Sequence, residues 1–94
     1  METITYSGLT VIKFYTDTCL PCKRLKPVLD KMEKEFPNIK IYNVNIEDDY
    51  KLAKQFHIKS VPTLVFLNGE NEVQRIDGIT NTESIRKAFK TLAG

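Results

Sequence analysis

Two cysteines separated by two residues, Cys19 and Cys22, stand where a short apolar run gives way to an amphipathic stretch, and this junction limits the chain most. The run Leu9 to Tyr15 is rich in β-branched and aromatic residues, the pattern of a strand buried on both faces, with Lys13 as its one interruption. From Pro21 onward, Leu25, Val28, Leu29, Met32 and Phe36 recur at helical spacing, with Lys and Glu on the opposite side. Pro27 lies inside this helix and predicts a kink, because its ring removes one backbone hydrogen bond; Pro37-Asn38 ends the element. A strand that feeds directly into a helix, with reactive side chains at the joint, commits the chain to an α/β arrangement.

The remaining segments extend that alternation. Ile39 to Ile46 reads as a second strand whose change of apolar phase implies cover on both sides. Asp48 and Asp49 can cap a short helix carrying Leu52, Ala53 and Phe56, with His57 at its end in a solvated or dipole-compensating place. Thr63 to Leu67 is a third strand, Asn68-Gly69 a turn, and Glu72 to Asp77 an antiparallel edge strand. Thr80 to Glu83 offers capping residues for a last helix with Ile85, Ala88, Phe89 and Leu92 on one face. Strands separated by helices are expected to pair parallel and the last two as a hairpin, giving a mixed four-stranded sheet flanked by three helices. At 94 residues, without linker or repeat, the expectation is a single domain over residues 1–94.

Charge narrows the partners. Fourteen Lys and Arg against twelve Asp and Glu leave a net +2, scattered along the chain, so there is no basic stripe for nucleic acid and no juxtamembrane cluster. No apolar run approaches the roughly 18 residues of a membrane span, and the first residues lack a basic region followed by an apolar one. A soluble, cytoplasmic, monomeric protein is the expectation. Two cysteines are too few for the disulfide framework of small secreted domains.

The pair is better suited to chemistry. At the start of a helix, unpaired N–H groups and the positive end of the dipole favour an anion, which lowers the pKa of the first thiol. Cys19 is thus the candidate nucleophile. Cys22, one turn on, can attack a mixed disulfide on Cys19 and release the partner as a thiol. Pro21 suits the first turn, where its missing N–H has no intrahelical partner, and Leu20 places an apolar side chain at the loop tip. A structural disulfide would close too small a loop to constrain much chain, and a zinc site needs about four ligands where the chain supplies two Cys and His57. A redox pair is favoured over both, with no metal and no bound cofactor.

These residues resemble the thioredoxin family. Thr18-Cys19-Leu20-Pro21-Cys22-Lys23 is similar to its active-site signature, Pro27 to its kink proline, and Ser60-Val61-Pro62-Thr63 to its cis-proline loop; Asn68-Gly69-Glu70 and Gly78 fall at the family's spacing. The resemblance implies a thioredoxin-like fold in which Pro62 is cis beside Cys19. It further implies that the Val61 backbone pairs with a substrate segment and that Gly78 and Ile79 complete the groove. A plain turn role for Gly78 stays open. The function implied is reduction of disulfide-containing proteins, with an NADPH-dependent thioredoxin reductase as recycler. A glutaredoxin-like dependence on glutathione and a non-catalytic, redox-switched binding module are the alternatives.

The departures are specific. Thr18 and Leu20 stand where the family usually has tryptophan and glycine, and Tyr15 replaces a second tryptophan. Only about eight residues precede Leu9, so the family's leading strand and helix are expected to be absent or reduced. Lys13 and Asn43 occupy positions where thioredoxins typically carry a buried aspartate and a lysine. Lys13 is therefore a candidate for tuning the pair: its ammonium near the sulfurs would favour thiolate and make the protein more oxidising, whereas a side chain reaching past them to water would not.

Overall fold

The computed structural model describes residues 8–78 and 80–94. Ile79 and the extension preceding Leu9 lie outside the described residues, apart from Gly8. The chain runs β1 (Leu9–Tyr15), α1 (Leu20–Glu35), β2 (Lys40–Asn45), α2 (Tyr50–Gln55), β3 (Thr63–Asn68), β4 (Asn71–Asp77) and α3 (Thr82–Ala93). The four strands form one mixed sheet in the order β2-β1-β3-β4. β1 and β2 are parallel, and β3 and β4 form the expected hairpin, with a bulge between Phe66 and Leu67.

One expected pairing is corrected. β3 was expected to run parallel with the strands before it, yet it lies against β1 antiparallel, Phe14 opposite Thr63 and Leu9 opposite Asn68. β2 ends beside Tyr15 and β3 begins opposite Phe14, so the chain re-enters the sheet at the end it left and runs back along β1. The expected cover on both faces of β2 is present: Ile39 and Ile41 pack into the core under α1 and α3, and Val44 and Ile46 into the core on the α2 face, while the polar Lys40 and Asn43 are exposed.

Alternation along the central β1 divides the core. Val11 joins Leu25, Leu29, Met32, Phe66 and Phe89 under α1 and α3. Ile12 and Phe14 join Val44, Ala53, Val65 and Leu67 on the α2 face. By the same alternation Lys13 shares the face of Val11, below α1. Phe89 meets Phe66 edge-on with ring centroids 5.4 Å apart, and Phe36 at 5.6 Å. Arg86 of α3 reaches Glu35 at the end of α1, and so ties the two helices together at the surface.

α2 is closed at both ends. Asp49 accepts from the Leu52 N–H at its start. At its end the His57 N–H donates to Lys54 O and the Ile58 N–H to Ala53 O, the two bonds of a Schellman cap. His57 accordingly has φ 56°, which costs a non-glycine residue about 1–2 kcal/mol. Glycine there removes that cost but loses more entropy on folding, by about 0.5–1 kcal/mol. His57→Gly is expected to raise the unfolding free energy by about 0.5–1 kcal/mol in urea titration; a fall would mean that the imidazole makes a contact worth more than the strain.

Candidate active site

α1 begins at the cysteine pair because Cys19 is its N-cap. The Cys19 backbone is extended (φ −84°, ψ 104°), and its Sγ accepts from the Cys22 N–H at 3.1 Å, serving as Ser or Asp does at other helix starts. Pro21 occupies the first turn, as its missing N–H allows, and no acidic residue lies there to oppose an anion. Cys19 and Cys22 are joined as a disulfide with Cα atoms 5.2 Å apart. In the dithiol form the same N–H and the same helix end face the sulfur of Cys19, where they favour thiolate.

Burial separates the two sulfurs' surroundings. Cys19 is partly exposed beside Leu20, whose side chain is 65% exposed, whereas Cys22 is 1% exposed beneath the helix. An outside disulfide can meet the first but not the second.

The loop before β3 leaves the sheet at the end where the loop after β1 begins, as the Phe14–Thr63 pairing requires. Within it the Val61–Pro62 peptide is cis. Gly78 closes against this loop, its N–H donating to Pro62 O at 2.7 Å, and the Thr63 hydroxyl donates to Ser60 O at 2.8 Å, with Asp77 Oδ1 3.3 Å from the same oxygen. Glycine is required at position 78 by its φ of 81°, with open space where a side chain would stand. The structure thus brings Val61, Pro62 and Gly78 together at the sheet end that carries the cysteines.

Lys13 is 7% exposed, its Nζ 5.3 Å from the centre of the Tyr15 ring. It lines a hollow of about 170 Å³ with Tyr15, Asp17, Cys22, Lys23 and Lys26. A second hollow of about 420 Å³ also includes Lys13, Tyr15 and Lys26 and extends to Asp30, Glu33 and Asn43. Burial, and then Lys26, push the Lys13 ammonium below its ordinary value, with Asp30 acting in the opposite sense. Lys26 was not singled out from the sequence, although its place four residues after Cys22, on the same side of the helix, carries the signal. His57 stands at the end of α2. Among the described residues no three His, Cys, Asp or Glu side chains converge as a metal site.

The thioredoxin family model matches residues 2–91. The chain belongs to the thioredoxin family. It is 37% identical over 81 residues to the thioredoxin of Chlamydia trachomatis, covering 86% of this chain and 79% of that one. It is 30% identical over 82 residues to thioredoxin H5 of Arabidopsis thaliana, covering 87% and 70%. Among solved structures, oxidised mitochondrial thioredoxin 3 of Saccharomyces cerevisiae superposes with a TM-score of 0.85 at 25% identity, over 93% of this chain and 81% of that one. A thioredoxin mutant from Halobacterium salinarum gives 0.88 at 20% identity, over 96% and 79%, and supports the fold alone. With a bonded Cys19–Cys22 pair at the helix start, this member of the thioredoxin family is a dithiol–disulfide oxidoreductase. Among its described residues no helix is long and apolar enough to cross a membrane.

Proposed function

We propose that the protein, acting as a monomeric single domain over residues 1–94, reduces disulfides of partner proteins in a reducing cytoplasm. The observation that carries this reading is the unequal placement of two bonded sulfurs, Cys19 reachable at the helix cap and Cys22 covered beneath it. The Cys19 thiolate attacks one sulfur of the substrate disulfide. The substrate bond breaks, a mixed disulfide forms, and the other substrate sulfur leaves as a thiolate that takes a proton from water. Cys22, having given up its own proton, then attacks Cys19 Sγ, closing the Cys19–Cys22 bond and releasing the second substrate sulfur. Two electrons have passed to the substrate.

Val61, Pro62, Gly78 and Ile79 form the substrate groove in this reading, an extended segment pairing with the Val61 backbone while exposed Leu20 meets its apolar side chains. No bound cofactor takes part. A flavin-containing, NADPH-dependent thioredoxin reductase returns the pair to dithiol.

The test is reduction of insulin by dithiothreitol, followed as turbidity, with catalytic amounts of the protein. Precipitation well ahead of the uncatalysed reaction is expected; a rate equal to background would leave only a binding module. Replacing dithiothreitol by NADPH with thioredoxin reductase, or by glutathione, identifies the recycler. Turnover with glutathione alone would replace the thioredoxin-reductase part of the proposal.

A further inference from the structure

Lys13 is a buried cation that forms no ion pair among the described residues. Alternation along β1 turns it toward α1, where Lys26, Asp30 and Glu33 line the larger hollow and Cys22, Lys23 and Lys26 the smaller, with Asp17 entering from the loop. Tyr15 lies beside it on β1; from the neighbouring strands its partners are neutral, Asn43 on β2 and Leu64 on β3. The carboxylate of Asp30 is bonded to Lys26 at 3.1 Å, and among the described residues no ion pair includes Lys13. A cation in such a place is costly unless an anion is supplied nearby. Of the groups lining the same small hollow, Asp17 is an exposed carboxylate on the loop, whereas Cys22 is buried with Lys13 and its sulfur becomes an anion only after the disulfide is reduced.

We infer that the Lys13 ammonium, across the small hollow from the resolving cysteine, favours the thiolate of Cys22 and thereby stabilises the dithiol form relative to the disulfide. This rests on the reading of Cys22 as the resolving thiol. Burial of Cys22 opposes its ionisation, and Lys13 offsets that cost at the sulfur that must attack. The Cys22 proton leaves to water through the two adjoining hollows, and the thiolate attacks Cys19 Sγ, breaking the bond to substrate. Lys13 forms no bond in this step; it is a positioning charge, and the other cations facing the hollow, Lys23 and Lys26, are exposed and screened by water.

Coupling of this kind is reciprocal, so the parent protein tests it directly. The ε-carbon of Lys13, followed by NMR in ¹³C-lysine-labelled protein, is expected to titrate about one pH unit higher in the dithiol form than in the disulfide form. In Cys22→Ser that rise disappears between the same two states of solution. An identical midpoint in both forms of the parent overturns the inference. Lys13→Met and Lys13→Gln are expected to raise the Cys22 midpoint by about one unit and, at a pH above both midpoints, to shift the equilibrium with glutathione about tenfold toward the disulfide, about 30 mV; Lys13→Arg retains the parent values. Neutral variants matching the parent in both readouts also overturn it. Insulin reduction separates the two ideas: a parent without turnover but with the Lys13 rise refutes the reductase reading and leaves the coupling standing.

Discussion

Replacing Cys19 by serine is expected to bring insulin reduction down to the dithiothreitol background, a loss of at least about a thousandfold by analogy with other nucleophile deletions. The helix start that favours a sulfur anion cannot do the same for an alcohol, whose pKa lies far above that of a thiol, so the N–H of Cys22 is left facing a neutral oxygen. Cys22→Ser fails differently. Its Cys19 thiolate still attacks, but no thiol stands behind it to break the mixed disulfide, so substrate stays attached. Mass spectrometry of the reaction is expected to find one insulin chain bound through Cys19 in Cys22→Ser and none in Cys19→Ser. Equal turnover by the parent and Cys19→Ser would defeat the exchange chemistry altogether, and a bound chain on Cys19→Ser would reverse the two roles.

The unequal fate of these variants follows from features that were legible in the residues to different degrees. Periodicity was enough to place β1 and α1 around the cysteine pair, because both elements bury long apolar stretches and their joint carries the chemistry. It did not yield the direction of β3, since apolar pattern says which face is covered and nothing about sense. That is set by where the chain re-enters the sheet: β3 begins opposite Phe14, at the end where β2 finishes beside Tyr15. The change of phase along β2 did report its cover: Ile39 and Ile41 pack with the core under α1, Val44 and Ile46 with the core on the α2 face.

Within the site, spacing identified the sulfurs, but not that Cys19 Sγ is itself the cap of the helix, since a cap is a dihedral and a distance rather than a residue type. The cis peptide before Pro62 came from family resemblance, as no local pattern distinguishes the isomers. Gly78 was legible as a special position, but the reason differs from close backbone approach: a positive φ with open space beside it. Lys13 was visible as an intruder in an apolar run. Its surroundings were not, because Asp30 and Lys26 lie more than ten residues away along the chain and meet it only once α1 is folded over β1.

That folding of α1 over the sheet depends on few side chains, which sets the size of the other large effect. Phe89 is fully buried, edge-on to Phe66 and close to Phe36, at the seam where α3 and the end of α1 meet β3. Phe89→Ala removes most of a ring from that seam and leaves a void that a rigid sheet cannot close, at an expected cost of about 3–5 kcal/mol. A domain of this length has roughly 5–14 kcal/mol in all, so about a fifth of its stability or more is at stake. Urea titration of the disulfide form should place the midpoint far below the parent's, with Phe89→Leu falling much less because most of the volume remains. A loss under about 1 kcal/mol for Phe89→Ala would mean that the seam repacks and that α3 is not what holds α1 down. Without denaturant the fraction still folded keeps Cys19 at its helix start, so insulin reduction per folded molecule should match the parent's, and stability and chemistry separate in the same variant.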